Sequence, residues 1–112
     1  FLCLHTEKYN HAWNPNKEEQ YYKVHNIPNL TDDFQKYSLL WEEDAITYYL
    51  NDVELVRYEK GQEGRDVSHK GWPFDENFYL IINLAMGGTF GGKIDMTCFP
   101  QEFIIQNIKI YQ

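Results

Sequence analysis

Between Phe34 and Glu59 the chain alternates strand-forming runs with very short polar turns, and this pattern leaves an antiparallel meander as its natural course. Phe34, Lys36, Ser38 and Leu40 alternate with Gln35, Tyr37, Leu39 and Trp41, giving the two-residue period of a strand with unlike faces. Glu42-Glu43-Asp44 then forms a polar turn into the β-branched and aromatic run Ala45 to Leu50. Asn51-Asp52 separates that run from Val53 to Tyr58. Asn and Asp tolerate the positive φ that tight hairpins require, so a two-residue hairpin is expected there.

The same reading extends to strands near 1–6, 19–25, 34–42, 45–50, 53–59, 78–86 and 103–111, with no long segment of helical period. Residues 60–73 form a polar, glycine-containing loop ending at Pro73, and residues 10–18 form an Asn-rich loop with Pro15 and Trp13. Gly87-Gly88 and Gly91-Gly92 bracket Thr89-Phe90, so the backbone should turn sharply there and present one ring. Short strands with Gly- and Pro-rich turns imply an all-β antiparallel sandwich or barrel. Tyr37, Trp41, Tyr48 and Tyr49 are expected in its core.

Seventeen acids against ten bases give a net charge of −7, which argues against a nucleic-acid partner, since that needs a basic face, and leaves neutral or cationic partners open. No apolar run reaches the ~18 residues of a membrane helix. The chain opens inside the apolar run Phe1-Leu2-Cys3-Leu4 with no cap or turn before it, the pattern of a strand entered midway. Neighbouring strands are therefore expected in preceding sequence, and with no basic n-region or leader-like apolar segment at the opening, any export signal is expected to be absent or already removed. Cys3 and Cys98 read as two small buried thiols or as a bridge, and the sequence leaves both open. Asn29-Leu30-Thr31 is a glycosylation triplet. His5, His11, His25 and His69 show no spacing typical of metal ligands, and no metal site is expected.

His5 to His11, Asp33 to Trp41, Trp72 to Gly88, and Phe99 to Gln101 with the closing Ile108 to Gln112, taken in order, resemble laminarinase-type members of glycoside hydrolase family 16. His5-Thr6-Glu7-Lys8-Tyr9-Asn10-His11 is similar to the strand end and loop that follow the family's catalytic strand. Asp33 to Trp41 resembles its "DFHxYxxxW" strand, and Asn51-Asp52 stands where the family often has Asp-Gly. Trp72-Pro73-Phe74-Asp75-Glu76-Asn77-Phe78-Tyr79-Leu80-Ile81-Ile82-Asn83-Leu84-Ala85-Met86-Gly87-Gly88 resembles "WPFDxPFYLILNLAVGG". Phe99-Pro100-Gln101 and the closing Ile108 to Gln112 complete the likeness.

The resemblance implies a concanavalin-like jelly roll, with residues 1–112 as the C-terminal part of a single domain, incomplete by itself. It implies a secreted or cell-surface enzyme that performs retaining hydrolysis of internal β-1,3 or mixed-linkage bonds in laminarin-like β-glucans. Such chemistry needs two carboxylates about 5–5.5 Å apart, one a nucleophile and one an acid/base. The family supplies them from an E-x-D-x-x-E strand, and no acid in this chain begins that pattern. Glu42 has Asp44 two residues on, but Ile46 and Thr47 follow. The chain alone is therefore expected to be inactive and poorly soluble, with the N-terminal half of the domain or a second chain as its partner. A non-catalytic β-glucan-recognition protein of the same fold is the alternative, and a lectin-like sandwich unrelated to glucan is the last.

For the site, the resemblance places His5 near the catalytic acids, where an imidazole can orient a carboxylate or a sugar hydroxyl. Asn10 follows on the same loop, with Tyr9 and His11 beside it, as a sugar contact or as plain loop. Phe90 stands where laminarinases place a stacking Trp, and an aromatic face suits the C–H face of glucose. Trp72 has two readings, an anchor for the long loop or a sugar contact. Asn83 interrupts an apolar strand, so its amide either faces the cleft or bonds backbone at a bulge. No cofactor is required. The family's structural calcium, held by an Asp in the last strand, is weakened here by Gln106, a neutral oxygen donor. The loop after Gly92 is also shorter than the family's pattern, so substrate preference does not carry over.

Overall fold

A computed structural model describes residues 2–10 and 22–112, with Tyr22 and Phe90 described in their backbone only. Two compact units divide it, Phe1–Phe78 and Tyr79–Gln112. The fold class is all-β and antiparallel, as the alternation requires, with almost no helix. The expected features at His11 and Trp13 lie outside the described residues.

The first unit holds every strand among the described residues. β1 (Leu2–Cys3) pairs antiparallel with β2 (Tyr22–Lys23); of the runs expected at 1–6 and 19–25, the described residues 4–6 and 24–25 are not in strand, and residues 1 and 19–21 lie outside the described residues. β3 (Tyr37–Glu42), β4 (Ala45–Leu50) and β5 (Val53–Glu59) form the meander in that order. β4 and β5 fall where the alternation places them, while β3 begins at Tyr37, three residues after the expected start at 34. Asn51 and Asp52 both adopt positive φ, at 50° and 67°. Asn51 then locks the hairpin to the start of β3: its Oδ1 accepts from Lys36 N at 2.9 Å and its Nδ2 donates to Gln35 Oε1 at 2.7 Å. Between Tyr48 and Tyr49 the register with β5 slips, and Leu55 is the extra residue. Such a bulge adds twist to the sheet.

The two faces of the meander differ sharply. On one, Ile46, Val56 and Tyr58 pack with Leu4, Tyr9 and Trp72 into the unit's core. The Tyr48 hydroxyl donates to Cys3 O at 3.1 Å and the Tyr58 hydroxyl to Leu2 O at 3.3 Å, tying β1 across that face. On the other, Arg57 spans Glu42 at 2.7 Å and Glu59 at 3.1 Å while donating to Thr47 Oγ1 at 3.0 Å. Thr47 is fully buried with its hydroxyl satisfied, as a buried polar group demands.

Two expectations require correction. Tyr37 and Trp41 are exposed rather than core, because the buried cluster draws on β4, β5, Leu4, Tyr9 and Trp72 and on no residue of β3, while Phe74 and Phe78 meet Trp41 at its edge. Tyr48 and Tyr49 are half-buried. The strands expected at 78–86 and 103–111 do not form; both runs are exposed and carry no ladder among the described residues. Apolar residues with β propensity supply an extended backbone and a greasy surface, but a strand exists only when another strand satisfies its N–H and C=O groups.

In the second unit, Gly87 and Gly88 have φ of 69° and 78°, and α1 (Gly88–Gly91) makes a single helical turn closed by Gly92 N donating to Gly88 O at 2.9 Å. Gly87 is required twice over, since a Cβ there would meet Ile94 Cγ1 at 2.6 Å. A 3-10 turn, Met96–Cys98, is capped by Asp95, whose Oδ1 accepts from Thr97 N at 2.8 Å and Thr97 Oγ1 at 2.7 Å. The Thr97 hydroxyl and amide hold the Asp95 carboxyl below its usual range. Cys98 is half-buried, as is Cys3 in the first unit.

Candidate functional site

The first-unit candidates sit on two loops laced together. Leu4 turns into the core and His5, the next residue, faces solvent, as strand alternation dictates. Residues 6–9 then fold back in a tight turn: Thr6 N donates to Tyr9 O at 2.7 Å, and Tyr9 N donates to Thr6 Oγ1 at 2.8 Å. Lys8 N donates to Lys70 O at 3.0 Å, carrying this turn onto the 60–73 loop. Ion pairs from Lys8 to Asp66 at 3.3 Å and from Lys70 to Glu7 at 2.6 Å flank that bond. Exposed pairs of this kind contribute little individually; the backbone bond and the buried rings set the geometry.

Tyr9 is the pin between the loops. Its ring is buried, its hydroxyl accepts from Asp66 N at 2.9 Å, and the Arg65 guanidinium lies 5.4 Å from its ring centre. Of the two readings its loop position allowed, packing is the one its surroundings describe. Asp66 in turn accepts from Ser68, which holds its carboxyl below the usual range, with Lys8 adding to the effect. Hydrogen bonding to Glu7 raises the Lys70 ammonium.

Asn10 follows directly. It is half-buried, and its Oδ1 is enclosed with no protein partner among the described residues. An enclosed carbonyl oxygen of this kind is an acceptor prepared for a donor.

Trp72 is 1% exposed, edge-on to Phe74 with ring centres 5.1 Å apart, and its Nε1 donates to Glu43 O at 3.4 Å. That is the position of an anchor, with the ring's area spent on the core. The aromatic series continues through Phe74 and Phe78 to Trp41, whose Nε1 donates to Phe74 O at 2.8 Å.

The structure thus brings His5, Asn10 and Trp72 into one unit. Asn83 and Phe90 fall in the other, Asn83 exposed outside any strand or helix and Phe90 within α1 with its ring outside the described atoms. Gln106 is likewise exposed outside any strand or helix. Sequence reading missed the loop-to-loop pins Asp66, Ser68 and Lys70. No local pattern marks them, because each acts on a partner far away in the chain.

Comparison with known proteins places these features. The family model for glycosyl hydrolases family 16 matches residues 4–97. A beta-glucanase from Rhodothermus marinus is 27% identical over 112 residues, covering 97% of this chain and 38% of its own length. A glucan endo-1,3-beta-glucosidase A1 from Niallia circulans is 33% identical, over 74% of this chain and 13% of its own length. A beta-1,3-glucan-binding protein from Penaeus monodon is 34% identical, over 59% of this chain and 22% of its own length. The chain thus spans well under half the length of these relatives. No solved structure matches it. With a family model running from the first core leucine through both loops, the meander and the glycine turn, the chain belongs to glycosyl hydrolase family 16.

Proposed function

We propose that this chain forms one wall of the cleft of a secreted, retaining endo-β-1,3(1,4)-glucanase, as the C-terminal part of a single jelly-roll domain. The observation that carries this reading is a family match over residues 4–97 in a sequence with no E-x-D-x-x-E of its own. The nucleophile and acid/base then come from the preceding strand, and two carboxylates about 5–5.5 Å apart need no metal to break the glycosidic bond.

In that division of labour His5 orients a carboxylate or a sugar hydroxyl from the solvent side of the Leu4 strand end. Asn10 Oδ1 accepts a glucan hydroxyl. Leaving an enclosed acceptor unmet costs about 1–3 kcal/mol, and the sugar recovers that on binding. Trp72 holds the loop rather than offering a face, while Phe90 stacks on a glucose ring and Asn83 meets sugar hydroxyls. A net charge of −7 suits a neutral polysaccharide and not a polyanion.

A second reading, a non-catalytic β-glucan-binding protein, is favoured by the Penaeus monodon likeness together with the missing acid motif. Reducing-sugar release from laminarin separates the readings. The chain alone should release none. The protein with its preceding residues should do so if those residues include E-x-D-x-x-E, and should bind laminarin without cutting it if they do not. Hydrolysis by the 112-residue chain alone would sink the proposal.

A further inference from the structure

The loop anchored by Trp72 carries an imidazole on one side and two carboxylates on the other. Ligand atoms of His69, Asp75 and Glu76 all lie within 4.8 Å of one another, and all three side chains are exposed. The backbone beneath them is fixed. Gly71 N and Trp72 N both donate to Ser68 O, at 2.9 and 2.7 Å, and Glu76 N donates to Pro73 O at 3.3 Å. Gly71 passes so close to Asp66 that a Cβ would sit 2.0 Å from its carbonyl oxygen. With Trp72 buried between them in sequence, the turn that it anchors brings His69 close to the Asp75-Glu76 pair.

We propose that His69, Asp75 and Glu76 bind a divalent transition metal of the zinc class, which clasps the two ends of this loop. One neutral nitrogen and two anionic oxygens make a three-ligand zinc set that leaves a position for water. Calcium and magnesium take oxygen ligands, so the imidazole selects against them. Bonds of about 2.0–2.1 Å place tetrahedral ligands about 3.3 Å apart, so the three groups need to close by roughly an ångström or more. Exposed side chains do that by rotation about χ angles, with Trp72 undisturbed. The cation also relieves the repulsion between adjacent carboxylates. The site was invisible as sequence spacing because its nitrogen and oxygen donors are separated by the turn that Trp72 closes.

The test is a calorimetric titration of the chelator-stripped protein with zinc chloride and with calcium chloride. The natural sequence is compared with His69→Ala and with Asp75→Asn/Glu76→Gln. One zinc per chain should bind with a Kd on the order of micromolar, weakened about tenfold or more in each variant, with calcium far weaker throughout. Zinc should also raise Tm by a few degrees in the natural sequence alone, as any ligand of the folded state does. Cobalt serves as a second probe on the natural sequence, so the result does not hang on variants that fold poorly. Its visible bands should appear without a thiolate charge-transfer band. Absence of zinc binding, equal binding by natural and variant chains, calcium binding as tight as zinc, or a cobalt–thiolate band would each overturn the proposal.

Discussion

Tyr58 joins β5 to β1 through a hydroxyl that burial makes a weak acid. Desolvation, with Tyr48 and Cys3 adding to it, pushes its pKa up to about 12 from an ordinary value of 10.0. Tyr48 and Cys3 are raised as well, also chiefly by burial. The folded pKa of Tyr58 lies above the unfolded one, so its contribution is fully present below pH 10 and is lost as pH climbs toward 12. Melting temperature should therefore fall across that window, and a Tyr58→Phe variant should show a shallower decline. Absorbance titration of the phenolates gives the independent check. Trp72 poses a different test. Removing a fully buried indole leaves a cavity, and Trp72→Ala should cost about 3–5 kcal/mol in denaturant unfolding. Asn10→Ala should behave oppositely, with stability nearly unchanged and laminarin affinity reduced about threefold or more, because among the described residues its Oδ1 has no partner to lose. Thermal melts and affinity electrophoresis of the two variants side by side separate anchor from contact.

At the scale of the element, the meander was legible because each of its signals is local. Alternation assigned faces, and Asn51-Asp52 supplied the turn. What alternation could not say was how much of β3 would be covered, since that depends on where Leu4, Tyr9 and Trp72 dock. The same limit applies to the site. The inward Leu4 and outward His5 follow from period two, whereas the Tyr9–Asp66 and Lys8–Lys70 bonds join residues with no pattern in common. The 78–86 run failed as a strand for a related reason, because apolarity on successive residues describes a strand flanked on both sides and cannot provide the flanks. The turn itself yields a sharp expectation. Asn51→Ala removes two hydrogen bonds and places a Cβ-bearing residue with no local bonding at positive φ, a loss of about 1–2 kcal/mol. Asp52→Gly relieves the backbone while giving up only an exposed ion pair with Lys36, so it should be neutral or slightly stabilising. Chemical denaturation of the two variants checks both signs.

For the whole molecule, the distribution of apolar surface matters more than its amount. Tyr79, Ile81, Ile110 and Tyr111 are 83, 68, 74 and 84% exposed, and they belong to runs without paired backbone among the described residues. β3 and β5 are both edges of their sheet, and Tyr37, Leu39 and Trp41 stay exposed on the same face as Ile46 and Tyr48. Unpaired edges and contiguous apolar surface recruit other chains. A jelly-roll wall resolves this by pairing with the rest of its sandwich, and this chain spans 38% of the Rhodothermus marinus relative's length. The 112-residue chain by itself should therefore associate, with an apparent mass that rises with concentration in light scattering. Co-expressed with a chain carrying the preceding strands, it should elute at one-to-one stoichiometry and melt cooperatively. A monomer that melts cooperatively on its own would mean that the 78–86 and 103–111 runs find partners within the chain, and the reading of this protein as one wall of a larger cleft would lose its physical basis.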